Sequence, residues 1–183
     1  MNDVLRVIKS RRSVRSYTEE QIRQENLDAI LEAGMYAPTA HNEQPWHFTI
    51  IQNQEMLNFM NDKTKEGMSA SDVEWIKKMG SKPEFHVSYH APTLIVVSVK
   101  ENHLTWGSAD CAAAVQNMML AAKSLEIGSV WIGFYRFFFE QSQAVAKLNL
   151  PEGYVPLYAV AFGHSRTEFA APKRNANVVN YIR

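Results

Sequence analysis

The stretch SADCAAAVQNMMLAAKSLEIG, residues 108 to 128, reads as one long helix that is apolar almost all the way round and stops at Gly128. Such a helix has no polar face to offer water, so it is buried on most of its sides. Any fold that contains it has to supply layers around it. Ala109, Ala112, Ala113, Ala114, Ala121 and Ala122 leave room for a close neighbour. That neighbour is either another layer of the same core or a second subunit, and the sequence leaves both open. Strands for such a core are visible at HFTIIQ (47–52), PTLIVVSVK (92–100) and YVPLYAVAFG (154–163), which are short and rich in β-branched or apolar residues. Residues 3 to 10 set Val4, Leu5, Val7 and Ile8 at helical spacing. Residues 19 to 38 repeat that pattern with Ile22, Leu27, Ile30 and Leu31 before Gly34 and Pro38 stop it. The polar stretch from Glu55 to Lys82 predicts helix pieces in a mobile excursion. No repeat, low-complexity tract or flexible linker divides the chain, so residues 1 to 183 read as a single domain.

Several functions are excluded at this level. Lys plus Arg and Asp plus Glu each count 19, for a net charge of zero. That balance gives no broad attraction for nucleic acid or an anionic membrane surface, and neither is expected as a partner. Cys111 is the only cysteine, which leaves no disulfide framework or multi-cysteine metal site and fits a reducing compartment. The opening MNDVLRVIKSRR lacks the apolar core of a signal peptide. No apolar run reaches the roughly 18 residues of a membrane span. The expectation is a cytoplasmic globular protein.

Familiar catalytic patterns are missing too. No GxGxxG, P-loop or GxSxG occurs. His86 and His90 stand at i, i+4 and could share a helix face. EFHVSYHAP, however, has no carboxylate in the HExxH position and runs into Ala91-Pro92, so solvated or hydrogen-bonded histidines are the preferred reading. Cys111, inside an alanine-rich helix, reads as a buried inert thiol. With no nucleophile, metal set or triad, the chemistry is assigned to a bound cofactor, and no catalytic side chain or metal is expected.

Two stretches suit a cofactor. KSRRSVRSYTEE (9–20) puts Lys9, Arg11, Arg12 and Arg15 within seven residues. Its plain reading is a solvated basic end of a helix, favoured by the negative pole of the helix dipole. Ser13 and Ser16 add hydroxyls, and arginine forks with hydroxyls suit a phosphate or a polar ring. APTAHNEQPWHF (37–48) leaves a helix at Pro38 and enters a strand at Trp46. Thr39, His41, Asn42 and Gln44 offer hydroxyl, imidazole and amide groups without net charge, which suits the edge of a flat heterocycle. An ordinary helix-to-strand loop anchored by Trp46 is the alternative.

In this order and spacing, RRSVRSY, APTAHNEQPWHF, SADCAAAVQNMMLAAKSLEIGSVWIGF and the closing LPEGYVPLYAVAFGHS with APKRN resemble the nitroreductase family of flavin-dependent oxidoreductases. The match runs from Val4 to about Asn175, skips residues 54 to 84, and lacks the longer helical insertion of larger members. The resemblance implies an α+β fold, a central mixed sheet flanked by helices, and an interlocked homodimer with a noncovalent FMN at each subunit interface. It places Arg11, Arg12, Ser13, Arg15, Lys173 and Arg174 around the ribityl phosphate and pyrimidine edge. A phosphate monoester carries close to two negative charges, which two or three arginines would nearly neutralise. Pro38, Thr39, Ala40, Asn42 and Gln44 match the loop that covers the flavin from the partner subunit. There Asn42 and Gln44 pair with ring or ribityl atoms, or Gln44 holds the loop. Ala40 stands where the family often has serine, so its contact is limited to backbone. Trp131, Ile132 and Gly133, in the turn VWIGF, match the segment beside the reactive edge of the flavin. The N–H of Ile132 is expected to donate to the flavin N5, and Gly133 lets the backbone come close.

The reaction so implied is two half-reactions through one site. NADH or NADPH delivers hydride and leaves, and a nitroaromatic, quinone or similar electron-poor small molecule takes its place. The cofactor carries the redox chemistry while the protein supplies position and electrostatics. Arg15, near the pyrimidine carbonyls, would offset negative charge as it develops. A flavin-binding sensor or store without NAD(P)H turnover is the alternative, and a flavin-free interaction module a more distant one.

Overall fold

The computed structural model describes residues 2 to 183. In chain order its elements are α1 (Asp3–Ser10), α2 (Gln24–Met35), β1 (Trp46–Ile51), α3 (Gln54–Ser69), α4 (Glu74–Gly80), β2 (Thr93–Lys100), α5 (Leu104–Ser124), β3 (Gly128–Trp131), α6 (Arg136–Phe139), α7 (Ser142–Val145) and β4 (Tyr154–Gly163). The four strands form one sheet in the order β1-β2-β4-β3, antiparallel at every pair. The parallel part of the expected mixed sheet comes down to a single bridge, Ser13 to Ser129, where the segment after α1 lies beside β3. That segment does not continue as a strand. It bends away and pairs Tyr17 with Ser165 in the antiparallel sense.

Strand β2 shows why this is a three-layer α+β fold. All seven residues from Thr93 to Val99 are buried. Leu94 and Val96 pack with Leu57, Met60 and Phe138 on one face. Ile95, Val97 and Val99 pack with Ile30, Val115 and Met118 on the other. A strand covered on both faces has no polar side, so its sequence does not alternate. Strand β4 divides likewise, with Ala159 and Ala161 toward α3 and α6 and Val160 and Phe162 toward α2 and α5.

The alanine-rich helix starts four residues earlier than the sequence suggests, at Leu104. Its close neighbour in the chain is α2, tied to it by Asn117 Nδ2 donating to the Ala33 carbonyl at 3.0 Å. Ala109 and Gln116 remain exposed on its far side. Helix α1 lies against α5 yet buries none of its own residues. Val4, Leu5 and Ile8 stand open to solvent.

Residues 54 to 80 are not an excursion. They form α3 and α4, with Leu57, Met60, Met68 and Ile76 buried against the sheet. The joint between these two helices is tight at Gly80. A Cβ there would stand 2.6 Å from the Met68 Cβ and 2.9 Å from the Ser69 backbone nitrogen.

Candidate functional site

Basic side chains from opposite ends of the chain come near enough for their charges to interact at the C-terminal end of α1. Arg11 closes that helix with its backbone N–H on the Val7 carbonyl, at 2.9 Å. Its guanidinium Nη1 is buried and has no hydrogen-bond partner among the described residues. Burial lowers the Arg11 pKa from its ordinary value, and the charges of Arg174 and then Arg12 push it the same way. Like charges brought together cost energy, and so does a buried guanidinium N–H left unpaired. A bound anion removes both costs. A cavity of about 280 Å³ opens here, with Arg11, Arg12, Lys123, Glu126, Ser129 and Glu168 on its walls. Lys123 is taken up by Glu126 at 3.3 Å, so the arginines supply the uncommitted positive charge.

Arg12 has a local task. Its Nη1 donates to the Lys9 carbonyl at 2.8 Å and the Arg11 carbonyl at 2.7 Å, which uses the side chain to cap α1. Ser13 takes part through its backbone, in the bridge to Ser129. Lys173 is exposed in the C-terminal segment and forms no ion pair among the described residues, while the charge of Arg174 next to it in the chain acts on Arg11.

Arg15 faces a different space. Val14 and Tyr17 turn into the core. Arg15 lines a cavity of about 730 Å³ together with Phe85, His86, His90 and Arg166. Its one hydrogen bond, to the Ser13 carbonyl, is long at 3.5 Å. Arg166 is committed, donating through Nε to the Tyr17 carbonyl and facing Glu19 at 4.0 Å.

His86 and His90 do not share a helix; they lie on a turn, with ring centroids 4.1 Å apart. Tyr89 and His90 both adopt the left-handed region, with φ of 55° and 59°. That backbone turns the His90 N–H back onto His86 Nδ1 at 3.3 Å. A backbone N–H only donates, so Nδ1 carries the lone pair and Nε2 the hydrogen. Nε2 is buried without a partner. Burial first, then the charges of His90 and Lys65, push the His86 pKa down to about 4 against a smaller opposing effect of Asp62. His86 is therefore neutral, with a set tautomer.

The turn after β3 departs from expectation at one atom. The Ile132 N–H donates to the Ala159 carbonyl at 2.9 Å, extending the β3–β4 ladder, and is not free for a ligand. Gly133 opens a 3-10 turn, and no backbone carbonyl among the described residues accepts its N–H. Nothing lies within 4 Å of the position its Cβ would take. The N–H left without a backbone acceptor in this turn is thus that of Gly133, one residue on. Trp131, partly exposed, stands edge-on to Tyr158 at 4.7 Å between centroids.

The loop from Pro38 to Gln44 lies elsewhere. It is held in a strained backbone, with φ of 51° at His41, 56° at Asn42 and 45° at Gln44. Gln44 Nε2 donates to Asn42 Oδ1 at 3.0 Å, and the Gln44 N–H donates to Thr39 Oγ1 at 3.3 Å. The two amides hold each other and the loop. Pro38, Ala40 and Asn42 stand on the surface ahead of β1, with Thr39 half-buried between them. Strands β1 and β3 are the two edges of the sheet, separated by three interstrand spacings, about 14 Å. Within one chain the loop and the Trp131–Gly133 turn do not come together.

Phe85, His86 and His90 were not anticipated beside Arg15. Their clustering in EFHVSYH, just ahead of the Ala91-Pro92 entry to β2, is the signal that could have found them. Cys111 is buried, and burial pushes its thiol up to about 12, far from a nucleophile's range. No group of three or more His, Cys, Asp or Glu side chains able to hold a metal occurs among the described residues. No helix among them is long and apolar enough to cross a membrane.

Residues 8–164 match the model of the Nitroreductase family. A protein of Archaeoglobus fulgidus, provisionally named NADH dehydrogenase/NAD(P)H nitroreductase, is 33% identical over 168 residues, covering 92% of this chain and 88% of its own. The crystal structure of a nitroreductase with bound FMN from Bacteroides fragilis superposes with a TM-score of 0.92 at 35% identity, over 100% of both chains. A second nitroreductase with bound FMN, from Desulfitobacterium hafniense, gives a TM-score of 0.89 at 26% identity, again over 100% of both chains.

Proposed function

The chain belongs to the nitroreductase family, and from that premise we propose that it is an FMN-dependent oxidoreductase. It takes electrons from NADH or NADPH and passes them to nitroaromatic, quinone or similar electron-poor small molecules. The observation that carries this reading is the buried, unpartnered Nη1 of Arg11, on which the charge of Arg174 also acts. Two uncommitted guanidiniums fit the phosphate of FMN, the cofactor in the related structures from Bacteroides fragilis and Desulfitobacterium hafniense.

FMN, when bound, supplies the two-electron hydride chemistry. The protein's part is to hold and orient it. Arg11 and Arg174, with Lys173 nearby, take the phosphate. Arg12 keeps the end of α1 in place, and Ser13 ties that segment to β3. Arg15, whose guanidinium is nearly free, serves the pyrimidine edge, where it offsets negative charge. Trp131 and Ile132 set the backbone against the ring, and the Gly133 N–H is the donor offered to its reactive edge.

The remaining contacts come from a second copy. Pro38, Thr39, Ala40, Asn42 and Gln44 of one protomer cover the flavin held by its partner, which makes the working unit a homodimer of single-domain chains. The separation of loop and turn at opposite sheet edges supports this, as do the open apolar residues of α1. The balanced charge and lone cysteine support a cytoplasmic setting.

Steady-state kinetics test the proposal. Varying NAD(P)H at several quinone concentrations should give parallel double-reciprocal lines, because donor and acceptor use one site in turn. Intersecting lines would require a ternary complex and a second pocket, and absence of turnover would return the protein to the sensor-or-store reading.

A further inference from the structure

Beside Gly133 lies a shallow cavity of about 400 Å³ whose walls are Trp75, Ile76, Gly133, Phe134 and Arg136. Two elements build it. Ile76 is buried in the core and anchors α4, so the neighbouring Trp75 stands out from the surface, 58% exposed. Trp75 leans toward Phe134 with ring centroids 6.0 Å apart and planes at 60°. Phe134 is braced from behind by Phe85, edge-on at 6.1 Å. The aromatic wall is therefore fixed on one side and open on the other. A large exposed indole beside a second ring is an apolar surface suited to another flat ring.

The other end of the cavity is charged. Arg136 forms no ion pair among the described residues. Its guanidinium carbon lies 4.6 Å from the Phe137 ring centroid, a cation–π contact that uses none of its N–H groups. None of the five lining residues is acidic. At the floor, the open space before Gly133 reaches the turn whose N–H is unclaimed.

We propose that this cavity seats the electron acceptor and selects flat aromatic molecules that carry a negative group, a nitrobenzoate in preference to a nitrobenzamide. The proposal rests on the flavin reading above for its catalytic meaning, while the cavity itself is made of this chain's own residues. Trp75 and Phe134 hold the ring, and Arg136 takes the carboxylate. In the net reaction the nitro group gains two electrons and two protons, as one hydride from NAD(P)H and one proton from solvent. The products are a nitroso compound, water and NAD(P)+.

Calorimetric titration of the purified oxidised protein, without NAD(P)H, with 4-nitrobenzoate and 4-nitrobenzamide tests this. A single charge-assisted contact at a partly exposed site gives the parent protein about a five- to tenfold preference for the benzoate. Arg136→Gln should abolish that preference and leave benzamide binding as it was. Trp75→Ala should weaken both ligands, and Trp75→Phe should restore much of the loss. All three variants keep the parent's flavin content and visible spectrum. Equal affinity for the two ligands in the parent, or a preference that survives Arg136→Gln, overturns the proposal. A colourless protein would refute the flavin reading separately, since calorimetry still reports the charge preference.

Discussion

At Arg11 a guanidinium N–H is buried without an acceptor, and Arg174 adds a like charge to the same place. If the phosphate of FMN fills that space, Arg11→Ala or Arg174→Ala loses a charge-assisted bond of about 1.5–3 kcal/mol. Titration of the apoprotein should then show FMN weakened roughly ten- to a hundredfold and riboflavin little changed; equal weakening of both would place the arginines elsewhere. Gly133 supports a different expectation. Its Cβ would meet no atom of the chain, so Gly133→Ala should leave stability within about 0.5 kcal/mol of the parent. If the proposed placement of the flavin is right, the methyl group would enter the space beside its reactive edge, and flavin affinity or turnover should fall; a fully active, flavin-replete variant would remove Gly133 from the site. His86 gives a pH signature. Its pKa is about 4 in the folded chain against 6.5 for the free side chain, so the unfolded state takes up the proton first as pH falls. The stability that depends on a neutral His86 is complete above about pH 6.5 and is lost progressively toward pH 4. Denaturant unfolding across that window should show a shallower fall for His86→Asn, which keeps an acceptor for the His90 N–H, than for the parent.

Among the elements, those whose burial is written in their own residues were legible and those defined by their partners were not. Strand β4 runs from Tyr154 to Gly163, as its apolar run bounded by Pro151–Gly153 and His164 predicts. Strand β3 is only four residues long, and it is a strand because β4 pairs with it and Ser13 bridges to it. No periodicity can show in so short a piece. Helix α3 was obscured because Asn61 and Thr64 occupy buried positions between Met60 and Met68, so the core face looks polar. The site divides in the same way. The arginine cluster stands out by residue type, but the approach of Arg174 to Arg11 follows from the whole chain path. Which N–H of the VWIGF turn is free depends on ladder register: that of Ile132 goes to the Ala159 carbonyl, and that of Gly133 has no backbone acceptor. The joint at Gly80 offers a test of how far element packing controls the site. Gly80→Ala forces a Cβ against Met68 and the Ser69 backbone, which should cost about 1–3 kcal/mol. It should also displace α4, and with it Trp75, so thermal unfolding and acceptor binding should change together. A variant as stable as the parent would show that α4 can shift freely.

For the molecule as a whole, the two halves of the proposed site lie at opposite edges of one sheet, and α1 presents Val4, Leu5 and Ile8 to solvent beside α5. The proposed second copy would reconcile both facts. One chain carrying Arg11→Glu and another carrying Asn42→Asp should each repel flavin as homodimers. In the mixed dimer one site collects both changes and the other neither, so flavin and activity should return at one site per dimer. Circular dichroism of both homodimers controls for folding, and a well-folded heterodimer without rescue would mean that each site is built within one chain. The fold, the paired arginines and the open turn at Gly133 all bear on whether this protein holds a flavin that NAD(P)H can reduce. The visible spectrum of the purified protein, before and after anaerobic NADPH with NADH alongside, answers that directly. Flavin bands should be present, bleach on addition of a nicotinamide donor without oxygen, and return when a quinone is added. A colourless protein, or bands that neither donor bleaches, would contradict the proposed function.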